Sequence, residues 1–203
     1  MIILQALNRK FLHIKKFLIF GSACLLFINT TSIDIPNTNK EGTPKSIDYN
    51  VPFLQKDFIG FKEALAFKES QGNYNAVNTL GYLGKYQFGK STLRRFRIYN
   101  TQKFLNNPAL QEKAFLSLCK VNKWILRRDI QRSVGKTING IKITESGILA
   151  AAHLGGAGNV KKFLRTNGKR RFYDAYGTSI KSYLKKFGGY DVSSIVADKK
   201  ASV

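Results

Sequence analysis

Glu69 ends a helix-forming segment and opens a loop rich in glycine, asparagine and tyrosine. Residues 57–70 read DFIGFKEALAFKES, and Phe58, Phe61 and Leu65 recur at helical spacing. The next position on that stripe is Glu69. A carboxyl group on an apolar stripe is desolvated, which raises its pKa. A raised pKa keeps it protonated near neutrality, as a general acid requires. An opposing effect comes from Lys85, Lys90, Arg94, Arg95, Arg97 and Lys103, since residues 70–111 hold no acid to balance them. Burial prevails if those side chains face solvent. On periodicity alone, Glu69 also reads as a helix-end residue in an ordinary salt bridge.

The segment after it, ESQGNYNAVNTLGYLGKYQFG over residues 69–89, carries Gly72, Gly81, Gly84 and Gly89 with Asn73, Asn75 and Asn78. That composition favours a loop with tight turns. Tyr74, Tyr82, Tyr86 and Phe88 offer flat faces for sugar rings, and Gln87 and the asparagines can hydrogen-bond hydroxyl and acetamido groups. A carboxylic acid beside such a loop has the composition of a carbohydrate cleft. A turn-rich surface loop with structural aromatics is the plainer alternative.

Four elements in order carry a resemblance. They are Glu69-Ser70 with Gly72, then Gly84-Lys85-Tyr86-Gln87, then Ala151-Ala152-His153-Leu154-Gly155 with Gly158-Asn159-Val160, and finally Tyr183 with Thr178 upstream. Over about residues 57–190 they resemble the lytic transglycosylases of the lysozyme-like superfamily. That family has a catalytic Glu-Ser at a helix end, a Gly-x-x-Gln motif, an approximate Ala-Tyr-Asn-x-Gly motif and a late Tyr. The resemblance implies Glu69 as the catalytic residue and Ser70, Tyr86, Gln87, His153 and Tyr183 as substrate-binding residues. It implies no metal and no cofactor. The implied substrate is the peptidoglycan glycan strand, cleaved at the MurNAc-GlcNAc β-1,4 bond. Glu69 would protonate the glycosidic oxygen, then act as base for the sugar's own C6 hydroxyl, giving a 1,6-anhydro ring. Two positions depart from the family pattern. His153 stands where the family has Asn, and Tyr86 where it usually has Met. His153 can donate a hydrogen bond to an acetamido carbonyl and can also titrate. A buried structural histidine is the alternative for it.

Glycoside hydrolases usually place two carboxylates about the bond. Only Glu69 lies within the motif region; Glu63 falls on a different helix face, and Asp129 and Glu145 could approach through folding alone. Two other functions therefore stand beside the transglycosylase: a lysozyme-type hydrolase using water, and a module that binds peptidoglycan without cutting it.

The elements that must position these residues follow from caps and periodicity. Asn107 then Pro108 is a helix start, and Leu110, Ala114, Leu118, Val121 and Ile125 form one stripe. A long helix is expected over residues 108–129, with Trp124 and Cys119 in the core. KTINGIKIT over residues 136–144 reads as a hairpin turning at Asn139-Gly140. Thr144 caps a helix through Ile148, Leu149 and Ala152. A last helix presents Ile180, Tyr183, Leu184 and Phe187. The expected fold is mostly α (α+β), a lysozyme-like helical domain with one short β-hairpin.

Arg9, Lys10, Lys15 and Lys16 precede the apolar run FLIFGSACLLFI over residues 17–28, and no acid occurs before Asp34. This order describes a secretory signal over residues 1–32, and twelve apolar residues are too few to span a bilayer. Lipidation at Cys24 is disfavoured by Gly21 and by the run continuing past the cysteine. Residues 33–56, with Pro36, Pro44 and Pro52, read as a linker. Residues 57–190 then form the domain and residues 191–203 a basic tail. The protein is expected to be exported to the periplasm or cell envelope, monomeric and free of the membrane after signal removal.

Lys+Arg number 34 against 12 Asp+Glu, for a net charge of +22. Losing Arg9, Lys10, Lys15 and Lys16 with the signal leaves +18. Such charge fits an anionic polymer. No nucleic-acid motif accompanies it, so no nucleic-acid partner is expected, and peptidoglycan with its peptide carboxylates fits better. Two cysteines exclude a disulfide-dense scaffold, and no Cys/His cluster has zinc spacing.

Overall fold

Asp57 starts the first helix by accepting a hydrogen bond from the Gly60 amide at 2.8 Å. In a computed structural model, which describes residues 55–203, that helix is α1 (Phe58–Ser70). It ends at Gln71 in the left-handed region, with the Gly72 amide reaching back to the Ala66 carbonyl. Two short helices follow, α2 (Lys90–Arg95) and α3 (Thr101–Leu105), then the long α4 (Pro108–Ser133). Asn107 caps α4 through the Leu110 amide, with Pro108 at its first position. Strands β1 (Thr137–Ile138) and β2 (Ile141–Lys142) pair antiparallel, Thr137 opposite Lys142 and Ile138 opposite Ile141. Asn139 and Gly140 both take positive φ, 51° and 76°, which the tight turn requires. Thr144 caps α5 (Glu145–Arg165), accepting from the Gly147 amide, and Ser179 caps α6 (Ile180–Lys186). The described residues are thus mostly helical with one two-stranded hairpin, as the sequence predicts.

Helix α5 packs against both α4 and α6. Phe61, Phe104, Phe115, Phe163 and Phe187 are fully buried among them. Each such side chain contributes on the order of 1.5–3 kcal/mol through burial. Helix α5 is broken at Gly156, whose φ of 76° and ψ of 150° no helix contains. The break follows the Ala151–Gly155 motif and frees the helix from a single straight axis beside the loop of residues 72–89.

Three expectations need correction. Helix α4 runs to Ser133 and not to residue 129, and its buried face is wider than the predicted stripe, of which Ala114 and Val121 are buried. Gln111, Phe115, Asn122, Leu126 and Asp129 are buried, whereas Leu110, Leu118 and Ile125 are half-buried. Polar residues occupy the inner face because the fold supplies partners. Gln111 accepts from the Lys85 amide and donates to the Tyr74, Phe104 and Leu105 carbonyls. Trp124 is half-buried and lies under the cations of Arg127 and Lys199. Residues 191–203 are no basic tail: two lysines face two aspartates there. Val192 and Ile195 are buried, and the Ser202 carbonyl accepts from Ser117. The signal and linker expectations for residues 1–54, with Cys24, lie outside the described residues. Cys119 is buried and unpaired among the described residues, and burial pushes its thiol pKa up to about 12. No helix among the described residues is long and apolar enough to cross a membrane.

Candidate active site

Glu69 lies on the last turn of α1, half-buried at the mouth of a cleft. The cleft is lined by Gln87 and His153 of the predicted set, and by Asn78, Tyr82, Asp174 and Tyr176. The Tyr183 hydroxyl, presented by α6, donates to Glu69 Oε1 at 2.6 Å. Burial pushes the Tyr183 pKa well above the usual tyrosine value, and the Glu69 charge, the hydrogen bond and Asp174 add to the shift. Tyr183 therefore holds its proton and is the donor. Any proton carried by Glu69 must then sit on Oε2. Glu69, Gln87, His153 and Tyr183 come from four separate segments of the chain and meet in one place.

Local turns set the loop wall. Leu83 bridges to both Val77 and Phe88, folding residues 77–88 back on themselves. Asn78 Oδ1 accepts from the Leu80 and Tyr82 amides. Gln87 takes a positive φ of 50° and donates from Nε2 to the Gly84 carbonyl. Its amide oxygen has no hydrogen-bond partner among the described residues. The facing wall is a turn in which Asp174 Oδ1 accepts from the Tyr176 and Thr178 amides. Thr79 and the Tyr176 hydroxyl are 2.9 Å apart and tie the two walls together at one end.

Two predicted binding residues do not face the cleft. Ser70 donates its hydroxyl to the Lys85 carbonyl at 2.7 Å, fastening the end of α1 to the Gly84–Gln87 turn. Tyr86 is fully buried, stacked on Phe115 with centroids 4.1 Å apart, and its hydroxyl donates to Glu112. A tyrosine fills this core position because Glu112 gives its hydroxyl a partner. Both residues hold the site in place and neither lines it.

His153 is a third correction of detail. Its Nε2 lies 2.8 Å from the Tyr86 carbonyl, which can only accept, so Nε2 carries the hydrogen. Nδ1 is buried with no partner. The ring packs edge-on to Phe88 and Phe115. Its one N–H is therefore spent on the backbone, and it does not supply a donor to an acetamido carbonyl. Cleft-lining and structural roles coincide in one residue.

Behind the Gly84–Gln87 turn lies a charge cluster that the sequence did not reveal. Lys85 is nearly buried, and its Nζ donates to Glu63 at 2.8 Å and Glu112 at 2.9 Å. Lys62, Tyr74 and Tyr86 also donate to Glu112. Burial alone would raise the Glu112 pKa, but Lys62, Lys85, Tyr74 and Tyr86 together hold it down at about 2. The Lys85 charge is thus spent on Glu63 and Glu112, away from Glu69. Lys90, Arg94, Arg95, Arg97 and Lys103 are exposed.

Asp174 was also missed. It supplies a second carboxylate to the Glu69 cleft, in place of Glu63, Asp129 or Glu145. Glu63 pairs with Lys85, Asp129 with Arg132 and Arg165, and Glu145 with Lys123. The signal was present in the run Tyr173-Asp174-Ala175-Tyr176-Gly177, which repeats the aromatic and glycine character of the first loop.

The cleft encloses about 80 Å3, far below the ~300–1,000 Å3 of pockets that swallow a small molecule. A polymer would lie along its open face. A larger cavity, about 1020 Å3, lies elsewhere, with five Lys and Arg residues in its lining; it contains no carboxyl side chain to move a proton. Among the described residues no cluster of His, Cys, Asp or Glu could hold a metal ion. No family model, no curated protein and no solved structure matches this chain significantly.

Proposed function

We propose that the protein is a peptidoglycan lytic transglycosylase with a lysozyme-like domain. The observation that carries this reading is the Tyr183–Glu69 hydrogen bond at a cleft mouth also lined by Gln87 and His153. Glu69 donates the Oε2 proton to the glycosidic oxygen as the bond breaks. Tyr183 continues to donate to Oε1, where it stabilises the carboxylate that remains. That carboxylate then takes the proton of the C6 hydroxyl as it closes the 1,6-anhydro ring. Exposed Tyr82 and Leu80 on one wall and Tyr176 on the other offer apolar faces to sugar rings along the groove. The basic surface favours adsorption to the carboxylate-bearing wall polymer, and the N-terminal sequence supports export to the envelope.

One observation favours a second reading. Asp174 lines the same cleft as Glu69, and a second carboxylate can activate water. A lysozyme-type hydrolase would use it so. Mass spectrometry of fragments released from purified peptidoglycan separates the two. Anhydro-ended fragments, lighter by one water, support the transglycosylase. Reducing-end fragments support the hydrolase, and no release at all contradicts both.

A further inference from the structure

A large groove, about 1020 Å3 in volume, lies between the α2–α3 region and the C-terminal segment. Arg95, Arg97, Lys103, Lys199 and Lys200 form its rim, and all five are exposed. No acidic side chain lines it, and none of the five makes an ion pair among the described residues. The nearest carboxylate in sequence is Asp198, whose Oδ1 accepts from the Lys200 amide. Phe96, Ile98 and Leu110 form an apolar floor, the first two almost fully covered by neighbouring chain. Tyr99, 73 % exposed, stands on the edge.

The groove continues past Tyr99. A second hollow of about 220 Å3 shares Ile98 and Tyr99 with it and adds Lys90 and Arg94. Its Lys90 follows Gly89, which packs against the Tyr82 ring of the Glu69 cleft: a Cβ on Gly89 would lie 3.3 Å from Tyr82 Cε1. A basic path therefore begins beside the cleft and broadens away from it.

We propose that this groove binds acidic peptide strands. Carboxylates meet the cationic rim, where a guanidinium can grip both oxygens at once. Small apolar side chains rest on the Phe96, Ile98 and Leu110 floor. Phe96 and Ile98 are almost fully covered, which suits small methyl-bearing side chains, whereas an oligonucleotide could stack a base only on Tyr99 at the edge. The source of the peptide, though not its chemistry, rests on the peptidoglycan reading: the stem peptides of that polymer carry both carboxylates and methyl groups. The groove then holds the peptide of a strand whose glycan lies at Glu69.

The test uses the purified full chain and a fluorescent pentapeptide, Ala-Glu-Ala-Glu-Ala, with its Gln counterpart, inorganic polyphosphate and an oligonucleotide as comparison probes. The acidic peptide is expected to bind at least about tenfold more tightly than the Gln peptide, and more weakly as salt rises. Arg95→Gln/Arg97→Gln/Lys103→Gln is expected to weaken that binding at least about tenfold. Lys136→Gln/Lys142→Gln/Lys169→Gln removes the same charge from exposed sites outside the groove and is expected to weaken it less than about threefold. Equal losses in the two variants would show that net charge alone is responsible and would overturn the groove. Polyphosphate or oligonucleotide binding that falls as steeply in the groove variant as peptide binding does would overturn the choice of a peptide. Thermal melting of both variants confirms that each is folded. The probe has no glycosidic bond, so its failure to bind leaves cleavage by Glu69 standing, and a failure of cleavage leaves peptide binding standing.

Discussion

Glu63 and Glu69 lie six residues apart on the same helix, yet their surroundings are opposite. Glu63 joins Glu112, Lys62 and Lys85 in a cluster of full charges. Glu69 has one partner, the neutral hydroxyl of Tyr183. The first carboxylate is tied to two lysines, one of them nearly buried. A carboxyl in the second can change protonation while its hydrogen bond stays intact. The same residue type on one helix is thus an anchor at one position and, in the proposed function, a proton carrier at the other. What separates them is the presence or absence of a counter-ion, and not burial alone.

Removing the counter-ion is the hardest blow to the anchor. Lys85→Met leaves Glu63 and Glu112 with Lys62 as their remaining cation and is expected to cost roughly 2–3 kcal/mol of unfolding free energy. Urea unfolding measures it. A loss under about 1 kcal/mol would mean that the cluster holds nothing together.

At the other site the expected effect is on rate. Tyr183→Phe removes the donor to Glu69 Oε1, a hydrogen bond to a charged group worth ~1.5–3 kcal/mol. The expected fall in kcat is about 10- to 100-fold, with KM little changed. An unchanged kcat would remove Tyr183 from the proton-transfer site.

The anchor also has a pH signature. Glu112 is held at about 2, against ~4.3 for a free glutamate. Because its folded pKa is depressed, its contribution is complete above the unfolded value and is lost as pH falls towards 2. The expected loss is about 2 kcal/mol between pH 5 and pH 2, allowing for its partial exposure. In Glu112→Gln the unfolding free energy should fall less steeply over that range. Parallel curves for the two proteins would contradict the assignment.

Asp174→Asn is expected to have the smallest effect. The amide oxygen can still accept from the Tyr176 and Thr178 amides, so the turn survives. If the C6 hydroxyl is the nucleophile, cleavage stays within about threefold of wild type. A loss beyond about 100-fold, with reducing-end products in the wild type, would favour the water-using hydrolase.

The elements were legible where local chemistry decides them. Asn107-Pro108, Asn139-Gly140 and Thr144 each marked a boundary through a cap or a turn that needs no distant partner. Glu69 was legible as a candidate from its helix end and the loop after it, and Gln87, His153 and Tyr183 through the order of the motifs that carry the resemblance. The direction of Ser70 and Tyr86 was not. It depends on the Lys85 carbonyl and on Glu112, contacts made only when α1, the loop and α4 come together. The inner face of α4 differs from the predicted stripe for the same reason, since Gln111 looks like a surface residue until the loop and α3 backbones each supply two of its four hydrogen bonds. Asp174 lies 105 positions after Glu69, beyond any local pattern. Val192 and Ile195, three apart, were a usable sign that the C-terminal segment packs, but the lysines near them drew the reading towards a tail.

The most direct test of Glu69 as the proton carrier is the rate at which Glu69→Gln releases fragments from purified peptidoglycan, followed by mass spectrometry beside the wild type. The amide keeps the shape and can still accept from Tyr183, but it has no acidic proton to give. The expected result is anhydro-ended fragments from the wild type and a loss of at least 100-fold in the variant, or about 2.7 kcal/mol of transition-state stabilisation, with melting unchanged. A folded variant that keeps more than about a tenth of the wild-type rate would contradict it.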